Sequence, residues 1–450
     1  MAKRLLDHSP DNKLISNNLT NNQQGLEVAG VSLSDFMQDI DTSNIIDGKT
    51  MHYIINSTNL TVNPSTYPNI GYLALVNCKN ITVDSLLLQH NGMLAAFTQN
   101  SSITQNTITN GSITLDHSSA INLTLNAITG GEIGLILFNS ENNRVTRNVV
   151  TKCTDWGVQL ESSSNNTISD NNVKNNTAGI ELTGSSNNTA FRNNIADNKN
   201  YGLLLGDSFH NLFYHNNFTN PIPYQVISSQ PPFSGNYFDD GYSSGGNYWI
   251  DYHGTDQHSG PKQNMTGSDG IGDTRYTNFF GVLDKYPLMQ PIQTFTAGVW
   301  QGKTRNVELL SNSTLSDFAF NMTARTISFN VTGMEGSRGF CRITIPNSIV
   351  QSQWSSGYSV MINGTRWPFR NWTDTENAYI YVNYTQSTQR IVIVPVPEFP
   401  EAIMIAIMVI PVTLAVTATK KLKRTKVDQT CQKQYAVHLI YDDVSCGRST

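Results

Sequence analysis

Four stretches decide how this chain folds: Asn143-Arg-Val-Thr-Arg-Asn-Val-Val150, Asn166-Thr-Ile-Ser-Asp-Asn-Asn-Val173, Asn188-Thr-Ala-Phe-Arg-Asn-Asn-Ile195 and Asn211-Leu-Phe-Tyr-His-Asn-Asn-Phe218. Each holds two apolar residues five apart: Val145/Val150, Ile168/Val173, Ala190/Ile195 and Phe213/Phe218. Working outward, the same pair recurs at Leu123/Ile128, Ile103/Ile108, Ile81/Leu86 and Leu14/Leu19. From Ile81 the steps are 22, 20, 22, 23, 22 and 23 residues, and Leu14 lies three such periods upstream. Three residues past each first member stands Asn17, Asn106, Asn126, Asn148, Asn171, Asn193 or Asn216, with Asp84 as the exception. Gly134-Leu-Ile-Leu, Gly157-Val-Gln-Leu, Gly179-Ile-Glu-Leu and Gly202-Leu-Leu-Leu close most units. A period of ~22 residues with short β-rich segments predicts a solenoid whose turns stack strand on strand at ~4.8 Å. Asn at a recurring corner tolerates left-handed backbone and bonds its copy in the next turn. Leucine-rich repeats share the period but need a helical return that is absent here.

The fold class expected is therefore all-β: a right-handed parallel β-helix over 1–229, followed by a small β-sandwich and one C-terminal transmembrane helix. Residues 34–76 read as two irregular turns carrying an insertion. Residues 230–291, rich in Gly, Asp and Tyr, read as a capping region, and 292–396 as a β-sandwich stalk. The sandwich rests on β-rich runs at 305–310, 325–331, 340–345, 379–384 and 390–394, separated by turn residues. Only 14% of the 450 residues are charged and the net charge is −5, which excludes a nucleic-acid binder working through a basic surface. The five cysteines are widely spaced and read as buried thiols, neither a disulfide framework nor a zinc site.

Residues 402–419 run eighteen residues without a charge, and Lys420, Lys421, Lys423, Arg424 and Lys426 follow. This predicts a single membrane span with residues 420–450 cytoplasmic and the large N-terminal part outside. Eighteen N-x-[ST] acceptors, Asn165, Asn175, Asn187, Asn321 and Asn330 among them, all precede that segment and suit a glycosylated external surface. Lys3, Arg4, Leu5 and Leu6 run straight into Asp7 and His8, which is no export leader, and no polar cap precedes Leu14. The expectation is a truncated N-terminus.

The N-N-x-I-x-x-N-x-[IV] turns resemble NosD-like, CASH-type right-handed β-helix proteins, abundant among surface proteins of methanogens and related archaea. So do Asn44-Ile-Ile-Asp-Gly-Lys, Gly246-Asn-Tyr-Trp-Ile-Asp-Tyr, Ser268-Asp-Gly-Ile-Gly-Asp-Thr and Asp284-Lys-Tyr-Pro-Leu-Met. The resemblance spans about residues 11–290. Pro397-Glu-Phe-Pro ahead of the apolar segment is similar to an archaeal PEF-type sorting signal, although the tail beyond Lys426 departs from that pattern. The resemblance implies an archaeal surface protein.

Three chemistries remain to be weighed. For a carbohydrate-active lyase or hydrolase the acids to consider are Glu161, Asp170 and Glu181, which fall in different registers. Arg147, Asp170, Arg192 and His215 occupy equivalent positions on adjacent turns and read as a structural ion-pair column. For sugar binding, Trp156 and Tyr201 stand at comparable corners two turns apart, with Phe209, Tyr214, Trp249 and Tyr252 as further aromatics. For metals, Asp251, Asp269 and Asp273 flank a Gly turn of a kind that calcium accepts and that a metal-free cap uses equally. Copper, suggested by the family name, would want the His210/His215 or His253/His258 pair, and neither has the setting of a copper site. The preferred reading is non-catalytic binding or scaffolding in the envelope, with a polysaccharide or a surface protein as partner.

Overall fold

A computed structural model describes residues 4–20, 26–90, 92–229, 235–300 and 302–396. Lys13 to Ser228 wind into a right-handed parallel β-helix of about ten turns. Three sheets run along it. The first stacks eight strands from Thr61–Val62 to Leu212–Tyr214, the second eight from Leu87–Gln89 to Tyr248–Trp249, and the third eleven from Asn18–Leu19 to Val226–Ser228. Successive side chains alternate between interior and surface, so each short strand sends its middle residue inward. Val83, Ile103, Leu123, Val145, Ile168, Ala190 and Phe213 form one buried column. Leu88, Ile108, Ile128, Val150, Val173, Ile195 and Phe218 form the next. Each buried aliphatic side chain contributes roughly 1.5–3 kcal/mol of transfer free energy.

The turn at 81–88 sits two residues later than its spacing suggests. Val83, not Ile81, aligns with Ile103, and Leu86 stands where later turns carry Asn. Ile81/Leu86 and Val83/Leu88 are both apolar pairs five apart, so spacing does not separate the two phases.

Asn106, Asn126, Asn148, Asn171, Asn193, Asn216 and Asn247 stack into a buried ladder. Asn171 shows the pattern. Its Oδ1 accepts from the Asn148 backbone N–H at 2.9 Å and from Asn148 Nδ2 at 3.0 Å. Its Nδ2 donates to Val145 O at 2.8 Å and to Asn193 Oδ1 at 2.9 Å. The amide thus uses its full complement of donors and acceptors. The preceding corner residues, Gln105, Leu125, Arg147, Asp170, Arg192 and His215, all have φ of 55–58°. Two further Asn ladders hold the other corners: Asn143, Asn166, Asn188, Asn211 and Asn236, and Asn176, Asn198 and Asn220. A Ser ladder runs from Ser118 through Ser140, Ser163 and Ser185 to Ser208. Gly179 closes its turn tightly, since a Cβ there would lie 2.3 Å from the Gly202 carbonyl oxygen.

Residues 235–291 cover the far end. Trp249 stacks on Phe218 at 4.6 Å and on Tyr276 at 4.3 Å, which closes the apolar interior. Trp249 Nε1 donates to the buried Asp284 at 2.8 Å. Beyond lie two five-stranded antiparallel sheets. One orders Ile292–Trp300, Lys303–Ser311, Arg338–Pro346, Asn377–Thr385 and Arg370–Thr373. The other orders Thr314–Asn321, Thr326–Thr332, Gln389–Pro395, Tyr358–Ile362 and Thr365–Trp367. Val307, Leu309, Phe329, Ile343, Val360, Ile380 and Ile393 are among its core residues. This sandwich packs directly on the last turns and the cap. Asn217 exchanges two hydrogen bonds of 2.9 Å with the Ile292 backbone. Buried Arg342 donates to the carbonyls of Asp269 and Ser243, and Arg370 donates to Ser268 O at 2.7 Å and Ser259 Oγ at 2.8 Å.

Cys78, Cys153 and Cys341 are buried and free. Among the described residues no helix is long and apolar enough to cross a membrane. The segment 402–419, the basic tail, Cys431 and Cys446 lie outside the described residues.

Asn171→Ala strands the Asn148 amide groups and the Val145 carbonyl inside the coil. It is expected to destabilise the β-helix by about 3 kcal/mol, against under about 0.5 for exposed Arg144→Ala, measured by denaturant unfolding.

Candidate functional site

The site grows from the left-handed corner that carries Arg192. That backbone turns the side chain outward on the penultimate strand pair, toward the sandwich. Arg192 grips Asp170 with two hydrogen bonds, Nε to Oδ1 at 2.7 Å and Nη2 to Oδ2 at 3.0 Å. Its Nη1 donates to Glu308 Oε1 at 3.2 Å, and Glu308 belongs to the sandwich strand Lys303–Ser311. His215 Nδ1 lies 3.0 Å from Glu308 Oε2. The approach is close but off the hydrogen-bond line, so that oxygen has no aligned donor. His215 Nε2 faces Ser244 O at 3.1 Å. Burial would raise the Glu308 carboxyl, but His215 and Arg192 outweigh it and hold it down at about 2.

Around this cluster opens a cleft of about 1110 Å³ between coil and sandwich. The coil and cap wall presents Phe191, Tyr214, Asp240 and Tyr242, and the sandwich wall presents Trp300, Arg305, Ser348 and Glu376. Phe191 and Tyr214 sit on adjacent turns with their rings stacked at 5.2 Å and 9°. The Arg192 guanidinium lies 4.5 Å from the Phe191 ring centroid. Four lining residues carry a buried polar atom without a hydrogen-bond partner: Tyr242 OH, Arg305 Nε, Glu308 Oε2 and Ser348 Oγ. In a folded interior such atoms are few, and each asks for a ligand or water.

The residues singled out from sequence are dispersed. Asp170 is drawn into the Arg192 grip, and the expected column continues to Glu308 through Arg192 and His215. Glu161 and Glu181 lie on the third sheet, where Glu161 aligns with Phe138 and Thr183, and Glu181 with Gln159 and Leu204. Glu181 accepts from Gln159 Nε2 at 2.7 Å. Trp156 and Tyr201 flank Ala178 in one register column and lean together across its small side chain, centroids 6.3 Å apart. Trp249 is buried in the end stack and Tyr252 bonds Thr274. Phe209 is exposed, and Tyr214 lines the cleft. Asn165, Asn175, Asn187 and Asn321 are exposed, and Asn330 donates to Asp317 at 2.7 Å. Phe191, Glu308 and Arg305 escaped the sequence reading. The only signal for Phe191 was its place in the outward column that continues to Tyr214.

The three cap aspartates do not converge. Asp251 accepts from Tyr276 OH, Asp269 from the Ile271 N–H, and Asp273 from the N–H groups of Gln257 and His258. His215 is held at the joint and His258 contacts Asp273 at 3.3 Å. Among the described residues no three His, Cys, Asp or Glu side chains gather as a metal-holding group, and the three thiols lie apart in the core. These donors do not fit a copper centre.

Residues 54–254 match a family model described as "Periplasmic copper-binding protein (NosD)". Over that stretch the coil is similar to the NosD family. That match and the stacked turns together fit a NosD-like parallel β-helix protein. No curated protein matches the chain. Similar solved structures include a mutant of the periplasmic alginate epimerase AlgG, at 14% identity and TM-score 0.34, covering 51% of this chain and 64% of that one. The chain thus spans less than two thirds of that epimerase. The Dettilon tailspike protein is 12% identical with TM-score 0.27, covering 87% of this chain and 86% of that one. A tailspike mutant of E. coli bacteriophage HK620, solved with a pentasaccharide, is 10% identical with TM-score 0.27, covering 85% and 82%.

Because the folded Glu308 carboxyl lies below its ordinary 4.5, its stabilising contribution is full above that value and is lost as pH falls toward about 2. Glu308→Gln is expected to cost about 3 kcal/mol at neutral pH, and the gap from the unaltered chain is expected to close between about pH 4.5 and 2 in denaturant unfolding.

Proposed function

We propose that this chain is a non-catalytic carbohydrate-binding β-helix of the cell surface, holding a polysaccharide in the cleft between coil and sandwich. The observation that carries the reading is the stacked Phe191–Tyr214 pair in a lining where Arg305 Nε and Ser348 Oγ make no hydrogen bond. A sugar ring presents an apolar C–H face to an aromatic ring, and its hydroxyls donate and accept at the rim. A concave cleft with a few convergent polar groups is the usual form of a ligand site. The acids favour binding over bond cleavage. Hydrolysis needs a carboxyl that carries a proton to the leaving group, with a second carboxylate ~5–10 Å away. Here Asp170 and Glu308 both hold Arg192, and Glu308 stays ionised far below neutral pH.

The placement at a surface rests on sequence. The apolar run 402–419 with its basic flank supports a single membrane span, and the dense N-x-[ST] acceptors support an external location for residues 4–396. The resemblance to archaeal surface proteins supports the same placement.

The full chain is expected to bind at least one hexasaccharide from a panel of plain and acidic glycans, read by calorimetry, without shortened or unsaturated products. Phe191→Ala and Tyr214→Ala are expected to weaken that binding about tenfold or more with the unfolding midpoint little changed. Binding that neither substitution alters would place the ligand elsewhere, and products that vanish in Asp170→Asn would make the protein an enzyme.

A further inference from the structure

We infer that the cleft takes an uncharged, hydroxyl-rich glycan and rejects uronate polymers, an inference that rests on the carbohydrate-binding reading above. Its charge is one-sided. Four carboxylates line it, Asp240, Glu308, Asp374 and Glu376, against the guanidiniums of Arg192 and Arg305. Arg192 is already held between Asp170 and Glu308, so it offers an anion little. Asp374 accepts from the Tyr379 hydroxyl at 2.6 Å and from the N–H groups of Glu376 and Asn377, which fixes its position. Asp240 and Glu376 are exposed, one on each wall, and make no ion pair among the described residues. An acidic polymer threading between them meets like charge on both sides. Such juxtapositions act against the wrong partner.

The unpartnered atoms point the same way. Glu308 is nine-tenths buried, with Arg192 on its Oε1 and His215 Nδ1 3.0 Å from its Oε2, so its carboxylate is held as negative charge in the wall, which a uronate carboxylate meets with repulsion. Arg305 Nε is a donor without an acceptor, and Ser348 Oγ, also on the sandwich side of the cleft, is unpaired. Neighbouring hydroxyls on one pyranose ring supply a donor and an acceptor together, which satisfies both kinds of atom. The stacked Phe191–Tyr214 pair supplies the apolar floor.

The test is calorimetric titration of the full chain with cellohexaose, mannohexaose and xylohexaose, and with hexamers of galacturonate and mannuronate. The expected result is that one or more of the uncharged hexaoses binds at least tenfold more tightly than either uronate. That binding should change less than about twofold between roughly 50 and 500 mM salt, as befits a contact without counter-charges. Arg305→Ala should weaken it about tenfold. The surface pair Asp240→Asn with Glu376→Gln, which leaves the buried cluster intact, should raise uronate binding. A uronate hexamer that binds as tightly as the best uncharged one, and loses binding with salt or in Arg305→Ala, overturns the inference and leaves the carbohydrate reading standing. Failure of all five hexamers to bind overturns both.

Discussion

Every turn of this β-helix must bend its backbone at corners that the next turn then covers. The N–H groups at those corners end up with neither water nor a strand partner, and an unpaired buried N–H costs about 1–3 kcal/mol. One asparagine per corner removes the problem. Its Oδ1 takes the backbone N–H and the Nδ2 of the turn before, and its Nδ2 serves a carbonyl and the next Oδ1. Asp lacks the donor, Ser lacks the reach to bridge both atoms, and an aliphatic residue offers neither. The chain is rich in Asn because three corners ask the same question in turn after turn. The low charge content follows from the same cause, since ladder positions exclude ions.

The ladder also decides where functional side chains stand. Each Asn is preceded by a residue in left-handed backbone, and that geometry throws its side chain outward. On most turns this yields an ordinary surface residue, such as Gln105 or Leu125. On the turns nearest the sandwich it yields Asp170, Arg192 and His215; Arg192 and His215 meet Glu308, and Asp170 holds Arg192. A buried Glu308 without Arg192 would carry an uncompensated charge in the joint. The charge cluster therefore ties the angle between coil and sandwich to the register of the coil. The two bodies touch at this cluster, at Asn217, at the Arg342 and Arg370 contacts and in an apolar patch of Ile271, Leu288 and Leu310, and the cleft opens beside these contacts.

Much of this was legible in one dimension and some was not. The apolar pairs five apart and their Asn companions mark the coil because they report a local repeat. They mislead at Ile81, where two phases are equally apolar, and at Leu19, whose strand joins the third sheet and not the second. In the sandwich, strands with continuous apolar runs, such as Tyr379 to Val382, are readable. The edge strand Thr314–Asn321 and the short Arg370–Thr373 are too polar to stand out. The site was half legible. Asp170, Arg192 and His215 share a spacing, so their column could be seen. Their fourth member lies 116 residues beyond Arg192, and no repeat carries information across that gap. Phe191 was hidden for another reason, since only its alignment with Tyr214 turns an isolated ring into a platform.

The same acids illustrate why composition is a poor guide to chemistry on a solenoid. A parallel coil brings residues of neighbouring turns within ~5 Å, so any acid can find a neighbour. What matters is the partner it finds. Glu181 meets an amide, Glu161 meets Phe138 and Thr183, and Asp170 meets a guanidinium. A carboxylate locked by Arg is stabilised in the ionised form, which suits a wall and opposes a proton donor. At the joint the fold thus uses its charges to hold two bodies in place. The recognition surface is left to rings and to the few polar atoms the protein itself does not pair.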